Sequence, residues 1–139
     1  MKILNKKFIV SALIGITLLG TTSVNAAERV TFPHLTCYGS SQILYSSSVG
    51  VYGQSTTSCD TDIINPAKKI TVDGLLKRNG AAYAYDSETQ YNSLYVRVQQ
   101  ISPSEYKTGY FELDSYHFVQ SSYNTSDMTS WESRWTKTY

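Results

Sequence analysis

Few residues of this 139-residue chain have the chemistry of an enzyme site. Its two histidines are His34 and His117, and no motif of serine hydrolases, zinc proteases or phosphate-binding loops is present. A histidine with a glutamate and an arginine can act as general acid and base on a phosphodiester, so His117, Glu112 and Arg97 suit a small secreted ribonuclease. We interpret His117 instead as a residue on the solvent face of a strand, and His34 as an ordinary loop residue. No catalytic residue is predicted.

The N-terminal segment has the three parts of a secretory signal peptide. Lys2, Lys6 and Lys7 form a basic start, residues 8–20 are a 13-residue apolar run, and the small residue Ala26 ends a polar stretch. A membrane-spanning helix needs about 20 apolar residues, so this run is too short. The sequence therefore predicts cleavage after Ala26, with cleavage after Ala27 as the alternative, and one secreted domain over residues 27–139.

Charge argues against several partners of the secreted domain. Residues 27–139 contain 9 basic and 11 acidic residues, a formal net charge of −2, and their only adjacent basic pairs are Lys68-Lys69 and Lys77-Arg78. Nucleic-acid binders and anionic-membrane binders depend on clustered lysine and arginine. We expect no nucleic-acid partner. Neither a lipid-bearing cysteine nor an apolar C-terminal tail is seen, so no stable membrane anchor is expected.

Cys37 and Cys59 are the only cysteines and both follow the predicted cleavage site. An exported pair meets an oxidising environment, so we predict a disulfide, worth roughly 3 kcal/mol for this loop length in the chain-entropy model. Two free buried thiols are the alternative. A structural zinc site uses four cysteine or histidine ligands at close spacing. Because only His34 and His117 accompany the cysteines, we predict no metal site and no cofactor.

A β-hairpin is the clearest structural element after the signal peptide. Asn79-Gly80 separates two strand-like runs, and both positions of such a turn require positive φ. A two-residue loop pairs Arg78 with Ala81, Leu76 with Tyr83 and Gly74 with Tyr85. It also brings Asp73 opposite Asp86, where like charges suggest that the pairing stops.

Period-two patterns predict further strands. Leu94, Val96 and Val98 share one face of a half-buried strand. The segment 110–120 reads as a strand or a pair of strands, in which a bulge or turn near residues 114–115 returns Tyr116 and Phe118 to the side of Phe111 and Leu113. Two weaker strands are predicted at 42–45 and 49–52. Residues 128–139 also alternate and are predicted as a strand, and the alternative is a helix on which Trp131 and Trp135 align at i and i+4. With no helical segment between them, seven or so strands predict an all-β fold, a small antiparallel sandwich or small barrel with one disulfide.

Aromatic residues are the best candidates for a binding surface. The secreted domain has only 21 Leu, Ile, Val and Phe residues but contains all twelve tyrosines, more than one small core can enclose. Tyr95 with Arg97 suits a flat platform for a sugar ring or a partner protein. A second platform is the face shared by Trp131, Trp135 and Tyr139. The alternative is that the tryptophans belong to the core.

The segments 71–86 and 109–117 resemble small exported β proteins of Gram-positive bacteria, including secreted β-sandwich bacteriocins. These bacteriocins do not depend on a disulfide, so no functional residue is carried over from them. The expected function is non-enzymatic binding of a cell-surface glycan or protein, in an antibacterial or toxin-like role. Two alternatives are an inhibitor of an extracellular enzyme that uses the segment between the cysteines as its binding loop, and the ribonuclease-type hydrolase.

Overall fold

The computed structural model describes residues 28–62, 67–100 and 107–139. The predicted signal peptide, residues 1–26, lies outside these ranges. In the described ranges the chain forms eight strands, which are β1 (Glu28–Phe32), β2 (Leu35–Ser46), β3 (Gly50–Thr61), β4 (Lys69–Arg78), β5 (Ala81–Tyr91), β6 (Tyr95–Gln100), β7 (Tyr110–Gln120) and β8 (Met128–Thr138). None of the described residues belongs to a helix that could cross a membrane.

The strands form two four-stranded antiparallel sheets that pack against each other. Sheet A has the order β1-β2-β3-β6 and sheet B has the order β5-β4-β7-β8. The sheets are not closed into a barrel. This arrangement confirms the predicted all-β sandwich and removes the barrel alternative.

The Asn79-Gly80 turn forms as predicted, but the hairpin register changes beyond it. Both turn residues have positive φ, 49° and 83°, and Arg78 pairs with Ala81. A β-bulge between Leu76 and Lys77 then pairs Leu76 with Ala84 rather than Tyr83. The predicted pairing of Gly74 with Tyr85 is wrong for the same reason, since one extra residue on β5 shifts every later pair.

The shifted register also removes the predicted end of the hairpin. Asp73 pairs with Ser87 and accepts a hydrogen bond from its hydroxyl, while Asp86 lies opposite Gly74. The two carboxylates therefore do not face each other. Pairing continues to Lys69 and Tyr91.

The two cysteines form the predicted disulfide, between directly paired positions of β2 and β3. The strands between them are regular, and only residues 47–49 lie outside the pairing. Both weak strands predicted in this segment are therefore confirmed, as parts of two 12-residue strands.

Strand β7 has no bulge. Its register is continuous with β4 on one side and β8 on the other, so Tyr116 and Phe118 stay on the outer face of sheet B. His117 consequently points inward and has 0% of its surface exposed. The prediction of a solvent-facing His117 is wrong, because alternation assigns two faces but does not say which one is buried.

Two apolar clusters fill the core. The disulfide cluster surrounds Cys37 and Cys59 and includes Ile70, Val119 and Trp131. The Phe111 cluster contains Ile43, Val51, Leu76, Phe111 and Leu113. Among the described residues, eight polar side chains are buried as well, and seven of them form the polar layer described below: Ser41, Ser55, Thr57, Gln100, Ser115, His117 and Ser133.

Candidate functional site

The polar layer contains a serine–histidine pair inside the sandwich. His117 Nε2 lies 2.7 Å from Ser133 Oγ, and its Nδ1 lies 2.8 Å from Thr57 Oγ1. Nucleophile and base at this distance have the geometry of an activated hydroxyl. Ser133 is only 3% exposed, however, so a substrate has no access to it. We interpret the pair as part of the structure of the core.

Six hydrogen bonds between side chains connect the layer from one sheet to the other. Beyond Ser133 the contacts run to Ser41, Ser115 and Ser55 at 2.6 Å each, and then from Ser55 to Gln100 Oε1 at 3.4 Å. Ser41 Oγ carries one hydrogen but has three possible acceptors, the Oγ of Ser115 and the Oγ and carbonyl oxygen of Ser133.

Both ring nitrogens of His117 have a hydroxyl partner, which can donate to the imidazole or accept from it. Thr57 Oγ1 has a second acceptor, the carbonyl oxygen of Thr71 at 3.1 Å, so its single hydrogen serves only one of the two contacts. Burial lowers the pKa of His117 to about 4, so the imidazole is neutral at pH 7.

Two glycines give the layer its space. A Cβ on Gly39 would lie 2.5 Å from His117 Cδ2, and one on Gly74 would lie 2.5 Å from Ser55 Oγ. Both distances are shorter than carbon or oxygen atoms tolerate, so these two positions exclude any side chain.

The residues proposed for a ribonuclease do not come together. His117 lies inside the sandwich, Glu112 lies on the outer face of sheet B, and Arg97 lies on the outer face of sheet A. His34 is at the β1–β2 turn with φ 65° and pairs with Asp62 at 2.9 Å. The fold therefore gives these two histidines no shared site.

An open cleft of about 400 Å³ lies on the outer face of sheet B. Two rows of cross-strand neighbours line it. The first row is Asp73, Tyr116 and Glu132, and the second is Tyr85, Leu75, Asp114 and Arg134. The cleft volume lies within the range of about 300–1,000 Å³ typical of small-ligand sites.

An ion-pair network holds the polar side of the cleft. Lys77 Nζ donates to Asp114 Oδ2 at 2.5 Å and to Glu112 Oε1 at 3.1 Å, and Arg134 Nε donates to Asp114 Oδ1. Partial burial works against ionisation of Asp114, but hydrogen bonds from Lys77 and Arg134 outweigh it and lower its pKa. The same hydrogen bonds raise the pKa values of Lys77 and Arg134. All three groups are charged at neutral pH.

Two tyrosines form the aromatic part of the cleft. Tyr85 on β5 is 64% exposed and Tyr116 on β7 is 42% exposed. Leu75, half-buried, lies between their strands and pairs with Tyr85. An exposed aromatic ring beside fixed charged groups offers both an apolar surface and oriented hydrogen-bonding atoms.

The residues predicted for binding lie in three different places. Tyr95 and Arg97 are exposed on the outer face of β6, as their alternation predicts. Trp131 is 7% exposed and stacks on His117 with ring centroids 5.3 Å apart, so it belongs to the core. Trp135 and Tyr139 are partly buried and pack against the Phe111 cluster.

The three C-terminal aromatics therefore do not form an open platform. Trp131 agrees with the alternative interpretation of the sequence, in which the tryptophans belong to the core. Sequence reasoning missed the cleft, because its residues come from four strands, two of which lie far from the others in the chain. The signal available was the alternation of Asp114 and Tyr116 with the inward residues of β7.

Comparisons with protein-family models, curated proteins and solved structures found no match to this chain. Within the described ranges, no group of three or more histidine, cysteine, aspartate or glutamate side chains is placed to hold a metal ion.

Proposed function

We propose that this protein is a secreted, non-enzymatic β-sandwich that binds a cell-surface glycan in the cleft of sheet B. The proposal rests on one observation. The exposed rings of Tyr85 and Tyr116 line the same cleft as the ion-paired Asp114 and Arg134. The disulfide supports secretion, because such bonds persist in oxidising compartments.

The two kinds of surface in the cleft match the two kinds of surface on a sugar. Pyranose rings have an apolar C–H face, which packs on an aromatic ring, and a rim of hydroxyl groups. Asp114 accepts hydrogen bonds from hydroxyls, and Arg134 donates to them. Because the network of Lys77 and Arg134 already orders Asp114, little side-chain entropy is lost on binding.

The electrostatics of the cleft favour binding over hydrolysis. A glycosidase needs a carboxylic acid whose pKa is raised so that it can protonate the leaving group. Asp114 has its pKa lowered and both oxygens already engaged by cations. Asp114 therefore suits a permanent hydrogen-bond acceptor, which supports binding rather than hydrolysis.

The first test is titration of the purified protein against arrayed bacterial wall glycans, followed by calorimetry on the best ligand. Tyr116→Ala removes one ring of the cleft, and we expect it to weaken binding by about tenfold or more. Tyr123→Ala is the matched control, because Tyr123 is 60% exposed but contacts His34 away from the cleft. Equal affinity of both variants and the unmodified protein would overturn the assignment of the cleft.

The antibacterial role is a separate expectation, supported by the resemblance to bacteriocins. It predicts that viable counts of indicator bacteria fall after exposure to the protein, and that Tyr116→Ala reduces the effect in parallel with its loss of glycan affinity. Undiminished killing by a variant that no longer binds glycan would separate the two roles.

A further inference from the structure

The outer face of sheet A differs in composition from the rest of the surface. Three cross-strand rows form what we call the arginine face. They are Arg29, Tyr38, Ser58 and Tyr95; Ser40, Thr56 and Arg97; and Gln42, Gln54 and Gln99. All ten side chains are at least partly exposed.

Arg29 and Arg97 are the only charged residues in these rows. Neither forms an ion pair with any residue that the structure describes. Asp60 faces outward in the next row, where it pairs with Thr36. The three rows of the arginine face therefore carry two positive charges and no negative one, on a domain whose net charge is negative.

The two arginines are too far apart to hold one small anion. Arg29 lies on β1 and Arg97 on β6, three strands away and two residues along, which places their Cα atoms roughly 16 Å apart. A chain that crosses the strands reaches both guanidinium groups. Between them it meets the hydroxyl groups of the first two rows. The amide groups lie beyond Arg97 in the third row, where Gln99 Nε2 donates to Gln54 Oε1 at 3.4 Å.

We propose that the arginine face binds a linear cell-surface glycopolymer with repeated phosphodiester groups. A guanidinium group presents paired donors that match the oxygens of a phosphate. Because Arg29 and Arg97 lie on β1 and β6, the two edge strands of sheet A, one polymer can make two such contacts. The neutral hydroxyl groups between them, and the amide groups in the row beyond Arg97, match the polyol or sugar hydroxyls of the polymer. This surface is independent of the cleft, which lies on the opposite sheet.

The test is the affinity of the purified protein for poly(glycerol phosphate), measured by calorimetry at several salt concentrations. The Arg29→Gln/Arg97→Gln variant is expected to bind at least about tenfold more weakly. The slope of log affinity against log salt is expected to fall by about two. The Lys68→Gln/Lys107→Gln variant removes the same charge from exposed lysines outside the face, and its affinity should stay within about twofold.

Three further ligands make the proposal falsifiable. Dextran lacks charge, polygalacturonate carries carboxylates in place of phosphates, and single-stranded DNA carries phosphodiesters without the polyol. Equal affinity for any of these three, or an equal loss of binding in both double variants, overturns the proposal. Tyr116→Ala should retain full polymer affinity, so failure of the cleft and failure of the arginine face are distinguishable.

Discussion

At the scale of single residues, the polar layer is the feature with the largest consequences. A core residue of a small sandwich is normally apolar, because burying a polar group without a partner is costly. Here each hydroxyl in the chain from Thr57 to Ser55 has a partner, and the neutral form of His117 completes the set. The layer is therefore stable only while its hydrogen bonds and its neutral charge are maintained.

The first prediction is a loss of stability in mild acid caused by His117. The unfolded chain protonates this histidine near pH 6.5, whereas the folded protein does so only near pH 4. Unfolding therefore takes up a proton in this window, and the stabilising contribution is complete above 6.5 and lost as pH falls to 4. From pH 7 to pH 5 we expect the free energy of unfolding to fall by about 2 kcal/mol.

Urea titrations at the two pH values measure this change, and His117→Gln is the reference because it cannot titrate. Asp114 affects stability only at lower pH. Its pKa is lowered in the folded protein, so its stabilising contribution is complete above the ordinary aspartate pKa and is lost only in stronger acid. If the unmodified protein and His117→Gln lose the same free energy between pH 7 and pH 5, the histidine is not the cause.

The second prediction concerns Ser133, which links His117 to the rest of the layer. Ser133→Ala leaves His117 Nε2 and Ser41 without this partner, and we expect it to lower the free energy of unfolding by about 1–3 kcal/mol. Ser130→Ala on the exposed face of the same strand is the control, with an expected change within about 0.5 kcal/mol. Similar stability of the two variants, measured by urea unfolding, would contradict a structural role for the layer.

At the scale of elements, the β2–β3 hairpin depends on its disulfide. Its inward positions include Gly39, Ser41, Gly53, Ser55 and Thr57, which bury little apolar surface. The covalent link between Cys37 and Cys59 compensates by restricting the unfolded chain.

The third prediction is that Cys37→Ala/Cys59→Ala lowers the free energy of unfolding by about 3 kcal/mol. Intact mass in the presence and absence of a reductant verifies the bond, and urea unfolding measures the loss. Reduction of the unmodified protein should reproduce the effect of the double variant. A reduced protein as stable as the oxidised one would show that hairpin pairing alone holds these strands.

At the scale of the whole molecule, the two sheets present different outer surfaces. Sheet B carries the ion-paired cleft, and sheet A carries the unpaired cations of the arginine face. Because the apolar clusters and the polar layer separate the two sheets, one ligand cannot contact both surfaces without passing around the edge of the sandwich.

The fourth prediction is that a glycan in the cleft and a phosphodiester polymer on the arginine face bind simultaneously. The affinity for poly(glycerol phosphate) should change by less than about twofold when the cleft is saturated, because the sites share no residue. Calorimetry with and without saturating glycan measures this coupling. Competition between the ligands would place them on one surface instead of two.

The sequence by itself determined the features that depend on local chemistry. Asn79-Gly80 has a backbone preference that almost any context preserves, and Cys37 and Cys59 had no other cysteine with which to pair. The alternation of residues 94–99 likewise assigned Tyr95 and Arg97 to the exposed side of β6, because pleating separates the two faces and the other face is entirely apolar, with Leu94, Val96 and Val98.

Only the tertiary structure decided which polar residues are buried and which surfaces are assembled. His117 is tolerated inside because Thr57 and Ser133 reach it from two other strands, and no local pattern around residue 117 reports their presence. The cleft has the same origin, since Tyr85, Asp114 and Arg134 become neighbours only when β5, β4, β7 and β8 pair in this order. The pairing register between distant strands sets the surroundings of His117 and the lining of the cleft. A single-residue bulge such as the one beside Leu76 is enough to change that register.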